Sequence, residues 1–196
     1  NVFVQQRGVS RGMDLLGSYG KADLIAQSTK NNVLVGGIKN TISDAGVANN
    51  IYLASRDGVI SESGKLFNIN DNGAYNRVTL TGTSLSGKYS GSGIYSTIID
   101  YGRLNSITLT KDSVNSTVNA FGRDAVVNIL GGTGNSVTIG SGNKAILTSP
   151  SLSSVSITSK SFSASGEYAK ISLQGIGNTL DVSGLKRGTI ITSELQ

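Results

Sequence analysis

The sequence predicts an all-β protein, a right-handed parallel β-helix with about three short strands per coil. Three observations lead there. Across 196 residues only 37% are apolar and 15% charged, the balance being Ser, Thr, Asn and 26 glycines, a mix too poor in long apolar stretches for a helical core. Short bursts alternating Val, Ile or Leu with Thr or Ser recur at intervals of about nine or ten residues. Finally, "AYNRVTLTG" (74–82), "RLNSITLTK" (103–111) and "TGNSVTIGS" (133–141) write one pattern three times at nearly one interval.

The bursts run in order from "NVFVQQ" through "ADLIAQ", "NNVLVGG", "NTISDA", "NIYLAS", "DGVISES", "KLFNIN", "RVTLTG", "STIIDY", "SITLTK", "STVNAF", "AVVNIL", "SVTIGS", "KAILTS", "SVSITS", "KISLQG" and "TLDVSG" to "GTIITS". Each is short, rich in β-branched residues and bounded by Gly, Asn, Ser or Asp, the residues of turns. Only "GMDLLGSYGKADLIAQ" has room for a turn or two of helix. The connections "TSLSGKYSGSGIYS" and "SKSFSASGEYAK" are long, and the first makes residues 83–97 a candidate protruding loop. The sole proline, Pro150 in "SPSLSS", marks another loop.

The interval decides between architectures. Ile51 to Val78 is 27 residues, Val78 to Ile107 is 29, and Ile107 to Val137 is 30. With strands about ten residues apart, three strands complete one step, and a chain returning to the same chemistry after each step is coiling. Val78/Leu80, Ile107/Leu109 and Val137/Ile139 then face inward as stacked aliphatic ladders, with Thr79, Thr108 and Thr138 outward. Asn76, Asn105 and Asn135 fall at corners, where Asn tolerates left-handed backbone and stacked copies can bond between coils. A β-sandwich is the alternative; against it, only "DNG" and "RDG" resemble tight hairpin turns. The whole chain, 1–196, reads as one solenoid domain, and its opening on a strand without Met suggests a piece of a longer protein.

Composition narrows the chemistry. Without Cys there is no disulfide or thiolate metal site, and without His the commonest near-neutral acid/base is missing. No cofactor and no metal is expected. No run approaches the length of a membrane helix, so membrane insertion is not expected either. The net charge of +5 comes from 17 scattered Lys and Arg, of which only Lys186–Arg187 adjoin; no basic stripe interleaved with aromatics is visible, so nucleic acid is not an expected partner. "GGTGNSVTIGSGN" lacks the Gly-Lys-Ser/Thr and following helix of a phosphate loop.

Asn- and Gly-punctuated strands in stacked coils, with no Cys, resemble the right-handed parallel β-helices of bacteriophage tailspikes and the passenger regions of bacterial surface adhesins. The resemblance is one of texture over most of the chain and matches no diagnostic motif. It implies a homotrimer, located in a virion tail or at the cell surface, that binds and in some cases cleaves cell-envelope polysaccharide. A non-enzymatic structural or adhesin module is the alternative. In "STIIDY", "AVVNIL" and "GTIITS" one member of Ile98/Ile99, Val126/Val127 and Ile190/Ile191 must leave the coil interior, where it can pack on a neighbouring chain or simply sit at a corner.

Two groups are candidates for chemistry. Seven residues before Ile51, Val78 and Ile107 stand Asp44, Asp71 and Asp100, so a coil of that length stacks three carboxylates at one corner. Paired carboxyls at coil spacing suit glycoside hydrolysis, with Asp71 and Asp100 as acid and partner. The competing interpretation is that Asp starts turns, since Gly follows two residues later in "SDAG", "NDNG" and "IDYG"; a cation site is the third. Asp57 and Glu62 form a weaker pair. The second group is Tyr89, Tyr95 and Tyr101 with Arg103, offering aromatic faces and a guanidinium to a sugar; Tyr75, Arg56 and Arg77 lie in the same stretches.

Overall fold

The computed structural model describes residues 3–130, 135–139, 144–147, 154–157, 161–174 and 179–193. Fifteen four-residue strands come first: β1 (Phe3–Gln6), β2 (Gly12–Leu15), β3 (Lys21–Leu24), β4 (Asn32–Val35), β5 (Thr41–Asp44), β6 (Asn50–Leu53), β7 (Val59–Glu62), β8 (Asn68–Asp71), β9 (Arg77–Leu80), β10 (Lys88–Gly91), β11 (Thr97–Asp100), β12 (Ser106–Leu109), β13 (Thr117–Ala120), β14 (Val126–Ile129) and β15 (Ser136–Ile139). They are followed by β16 (Lys144–Leu147), β17 (Ser154–Ile157) and the longer β18 (Ser161–Gln174) and β19 (Thr179–Ser193). No helix occurs among the described residues, and 12–27 forms β2 and β3 instead.

All pairings are parallel, and from β1 to β16 each strand pairs with the strand two places on, as β5 with β7, β6 with β8 and β10 with β12, while the long β18 also pairs with β17 and β19. The chain is therefore a parallel β-helix of about seven turns, not a sandwich. Its coil holds two strands rather than three. Thr41 pairs with Val59, Gly12 with Asn32 and Lys88 with Ser106, so from β1 to β15 one coil takes 18 to 20 residues. The 27- to 30-residue interval spans three strands, one and a half coils, and consecutive copies of the pattern alternate between the two sheets. Val78 stacks on Ile60 and Ile98. Ile107 stacks on Tyr89 and Val127 in the opposite sheet.

Alternation holds along β3 to β14, where the second and fourth residues of each strand point inward, as in β4 with Val33 and Val35, and the first and third point out. Val33, Ile42, Ile51, Ile60, Ile69, Val78, Ile98 and Ile107 form the core's aliphatic columns. Of the vicinal pairs, Ile98 and Val127 are buried while Ile99 and Val126 face outward; the side chains of Ile190 and Ile191 lie outside the described residues. Residues 83–97 are an ordinary part of the coil, containing β10 and the first residue of β11, and "SKSFSASGEYAK" is mostly β18. Pro150 lies outside the described residues.

What closes each coil is a corner of five residues. Its fourth residue is left-handed at Tyr19, Lys39, Ala48, Asp57, Leu66, Tyr75, Tyr95, Leu104 and Asp124, with φ between 53° and 58°. The Asn follows that residue rather than occupying it. Asn31, Asn40, Asn49, Asn76 and Asn105 are buried, and their side-chain oxygens accept the backbone N–H of the equivalent residue one coil earlier, as Asn49 does from Asn31 at 3.0 Å and Asn76 from Gly58 at 2.8 Å. Stacked amides also meet directly, Asn31 donating to Asn49 at 3.2 Å.

The second corner position is held by Gly46, Gly64, Gly73, Gly102 and Gly122, where the coils approach closely. A Cβ at Gly122 would stand 2.2 Å from the Gly102 carbonyl oxygen, and one at Gly102 would stand 2.4 Å from the Asn105 amide. Gly12, by contrast, opens onto free space. Gly102→Ala is expected to lower stability by about 1–3 kcal/mol through overpacking. Gly12→Ala is expected to leave it unchanged, as measured by denaturant unfolding of the two variants beside the wild type.

Candidate functional site: buried carboxyls and exposed aromatic corners

The predicted carboxylates are real features of the structure, but they lie inside the coil. Asp44, Asp71 and Asp100 each occupy the fourth, inward position of a strand and are fully or almost fully buried. A fourth acid, Glu62, sits equivalently at the end of β7. They do not form one ladder. Asp71 belongs to β8 and stacks on Leu53 and Gly91, whereas Asp100 belongs to β11 in the opposite sheet and stacks on Leu80 and Ala120. The adjacent-coil pair is Asp44 and Glu62, in register on β5 and β7.

Each acid has a task set by the backbone. In a five-residue corner the second residue's N–H points inward, away from water and from the neighbouring coil, and must find an acceptor. At four corners the carboxylate two residues earlier supplies it: Gly46 donates to Asp44 at 2.7 Å, Gly64 to Glu62 at 2.6 Å, Gly73 to Asp71 at 3.0 Å and Gly102 to Asp100 at 2.8 Å. The corners after Leu15, Val35, Leu53, Gly91 and Ala120 carry no acid at that position. The same oxygen of each Asp accepts the corner amide five residues on, from Asn49, Asn76 and Asn105 at 2.8 to 2.9 Å. The unit Asp-x-Gly-x-x-Asn thus solves one corner. Three corners are two residues longer, and there the N–H is met by a carbonyl three residues back: Ser28 to Ile25, Ser84 to Thr81, Ser113 to Thr110. Leu24, Leu80 and Leu109 hold the inward position before them.

Tyr89 is expected on a loop and is found in the core. It fills an inward position of β10, and its hydroxyl donates to the second oxygen of Asp71 at 2.9 Å. Room for the phenol comes from Gly91, the next inward residue, where a Cβ would stand 2.4 Å from the Tyr89 oxygen. Burial, and then the Asp71 charge, push the Tyr89 hydroxyl well above its ordinary pKa.

The remaining candidates divide between two corners. Tyr95 is left-handed and exposed and stacks on Tyr75 one coil earlier, centroids 5.1 Å apart and planes within 7°. The Arg56 guanidinium lies 5.3 Å from the Tyr75 ring centroid. Tyr101 and Arg103 lie at the other corner, after β11, where Tyr101 stacks on Phe121 at 5.9 Å. Asp57 is partly exposed beside Arg56 and does not face Glu62. Phe121 was not singled out from sequence. Its signal was "YGR" at 101–103 and "FGR" at 121–123, one coil apart. No group of three or more Asp or Glu placed to hold a metal ion occurs among the described residues.

No family model, curated protein or solved structure matches the chain.

The Asp44–Glu62 pair has a consequence in pH. Burial, then the charge of Asp44, push the Glu62 carboxyl up to about 10, and burial raises Asp44 against the Gly46 and Asn49 hydrogen bonds that hold it down. The folded chain therefore binds protons that the unfolded chain has released. Stability contributed by neutral Glu62 is complete below its unfolded pKa near 4.5 and falls as pH rises toward 10. Denaturant midpoints are expected to decline from pH 5 to pH 9, and Glu62→Gln is expected to flatten most of that decline.

Proposed function

We propose that the chain is a non-enzymatic β-helical module of an extracellular or virion-tail spike, a rigid shaft that recognises cell-envelope polysaccharide without cutting it. One observation carries this: each buried carboxyl closes its own corner from inside the coil, so neither Asp71 nor Asp100 reaches a substrate at the surface. Cleavage by a carboxylate pair needs both groups on one reacting bond, and these two end strands of opposite sheets. What the outer surface offers instead is binding chemistry. Rows of Thr, Ser and Asn run up the sheets, as in Thr97–Thr117–Ser136, and paired aromatic rings stand at both corners. Hydroxyl and amide groups meet sugar hydroxyls, and aromatic faces meet the apolar faces of sugar rings.

Side-by-side association into a homotrimer belongs to the same proposal, with outward Ile99 and Val126 as groups a neighbour would cover.

The test is incubation with envelope polysaccharide fractions, scored for co-sedimentation and for new reducing or unsaturated chain ends. Binding without chain shortening is the expected result. Shortening by the wild type that is lost in Asp71→Asn or Asp100→Asn would overturn the non-enzymatic reading.

A further inference from the structure

We infer that the corner carrying Tyr101, Arg103, Phe121 and Arg123 is a binding site for an acidic polysaccharide, its carboxylates held by the two arginines and its sugar rings lying against the two aromatics. The inference rests on the polysaccharide recognition proposed above and names the class of sugar. Its starting point is where the charges are. Among residues 3–130, Asp44, Glu62, Asp71 and Asp100 are buried, whereas every Lys and Arg is exposed. The outer surface is therefore more basic than the formal charge of +5 conveys, and it attracts anions.

The coil then gathers part of that charge. Arg103 and Arg123 are bridged in register on successive coils, about 4.8 Å apart along the axis. Backbone hydrogen bonds fix both, Arg103 N–H to Ser84 and Arg123 N–H to Gly102, at 3.0 and 2.9 Å. Two residues before each arginine stand Tyr101 and Phe121, 52% and 50% exposed and stacked at 28°. Gly102 and Gly122 separate ring from guanidinium in both copies, and the close approach of the coils at these glycines keeps the copies in step.

Two like charges at this separation repel, and the protein does little to relieve it. The Asp124 carboxylate lies 3.9 Å from Arg103 Nε, but both side chains are more than half exposed, 60% and 56%, so the pair is weak. Arg123 has no ion-pair partner among the described residues. A ligand with carboxylates spaced along a chain satisfies both guanidinia, each able to bind in a forked, two-bond geometry. Thr97, Thr117 and Asn119 face outward on the adjoining sheet and supply groups for sugar hydroxyls. A nucleic acid is the less suited polyanion. The rings already cover one another at 5.9 Å, leaving no slot for a base between them, and two arginines make a short cationic track.

The experiment measures binding of the whole chain to alginate, a polyuronate, beside neutral dextran and single-stranded oligothymidylate at one salt concentration. Wild type is expected to bind alginate, more weakly as salt rises, and to ignore dextran. Arg103→Gln with Arg123→Gln is expected to weaken alginate binding about tenfold or more, and Tyr101→Ala with Phe121→Ala to weaken it several-fold. Lys21→Gln with Lys39→Gln, removing equal charge elsewhere, is expected to have little effect. Circular dichroism and thermal melts of each variant establish that it is folded. Equal losses in the arginine and lysine variants, or tighter binding of oligothymidylate than alginate, would overturn the inference. Binding of dextran as tight as that of alginate would overturn it too, while leaving polysaccharide recognition without cleavage standing.

Discussion

Everything in this chain depends on turning a parallel strand through a corner of five residues without leaving a backbone group unpaired. The turn requires a residue in the left-handed region, and the sequence places Ser, Tyr, Lys, Leu, Ala or Asp there rather than Gly. Such a residue costs roughly 1–2 kcal/mol outside glycine. The cost is offset by what the geometry allows next. The left-handed residue's N–H reaches the following coil, as Lys39 does to Arg56 at 2.8 Å and Leu104 to Arg123 at 2.9 Å. Where the residue after it is Asn, as at Asn40, Asn49, Asn76 and Asn105, its side chain turns inward to accept an N–H from the preceding coil. Each corner is thus completed only by its neighbours, which explains why the coils stay in register over many turns.

Departures from the corner rule are paired, which shows that space rather than residue identity is conserved along the stack. Where Phe67 replaces the corner Asn, Gly87 lies above it in the next coil; a Cβ there would stand 2.0 Å from the Phe67 ring. Where Tyr89 replaces an inward aliphatic, Gly91 makes room and Asp71 accepts the hydroxyl. Where Glu62 replaces the inward Asp, its longer side chain still reaches the Gly64 N–H, and burial, then the charge of Asp44 one coil away, raise its pKa. A core only two sheets thick cannot absorb such changes by relaxation, so each is matched in the adjoining coil.

The fold class was legible from alternation and turn chemistry, because both are local and every strand repeats them. The number of strands per coil was not. The units are nine residues, with two-residue inserts at 26–27, 82–83 and 111–112, and the Asp-x-Gly-x-x-Asn corner recurs at every third unit. That spacing of 27 to 29 residues imitated a three-strand coil, and it placed Asp71 and Asp100 in one column when they lie three strands apart in a two-strand coil. The observation that Gly follows each Asp by two already held the answer, since it is the N–H of that Gly that the carboxylate binds. Tyr89 was misplaced for a related reason. In "SGKYSGSGI" the Gly and Ser look like a loop, whereas Gly87 and Gly91 are cavities cut for Phe67 and Tyr89.

Surface properties of a solenoid likewise cannot be judged from charge or aromatic content along the chain. Residues 20 apart in sequence, such as Tyr101 and Phe121, become neighbours, while Tyr95 and Tyr101, six apart, stand at opposite corners. A scattered set of cations becomes a column only when its members share a corner position, as Lys65, Arg103 and Arg123 do. Four acids that would have offset the surface cations are spent inside, each accepting the N–H of its own corner. The same backbone requirement that removes Asp71 and Asp100 from the surface therefore leaves that surface more cationic than the chain as a whole.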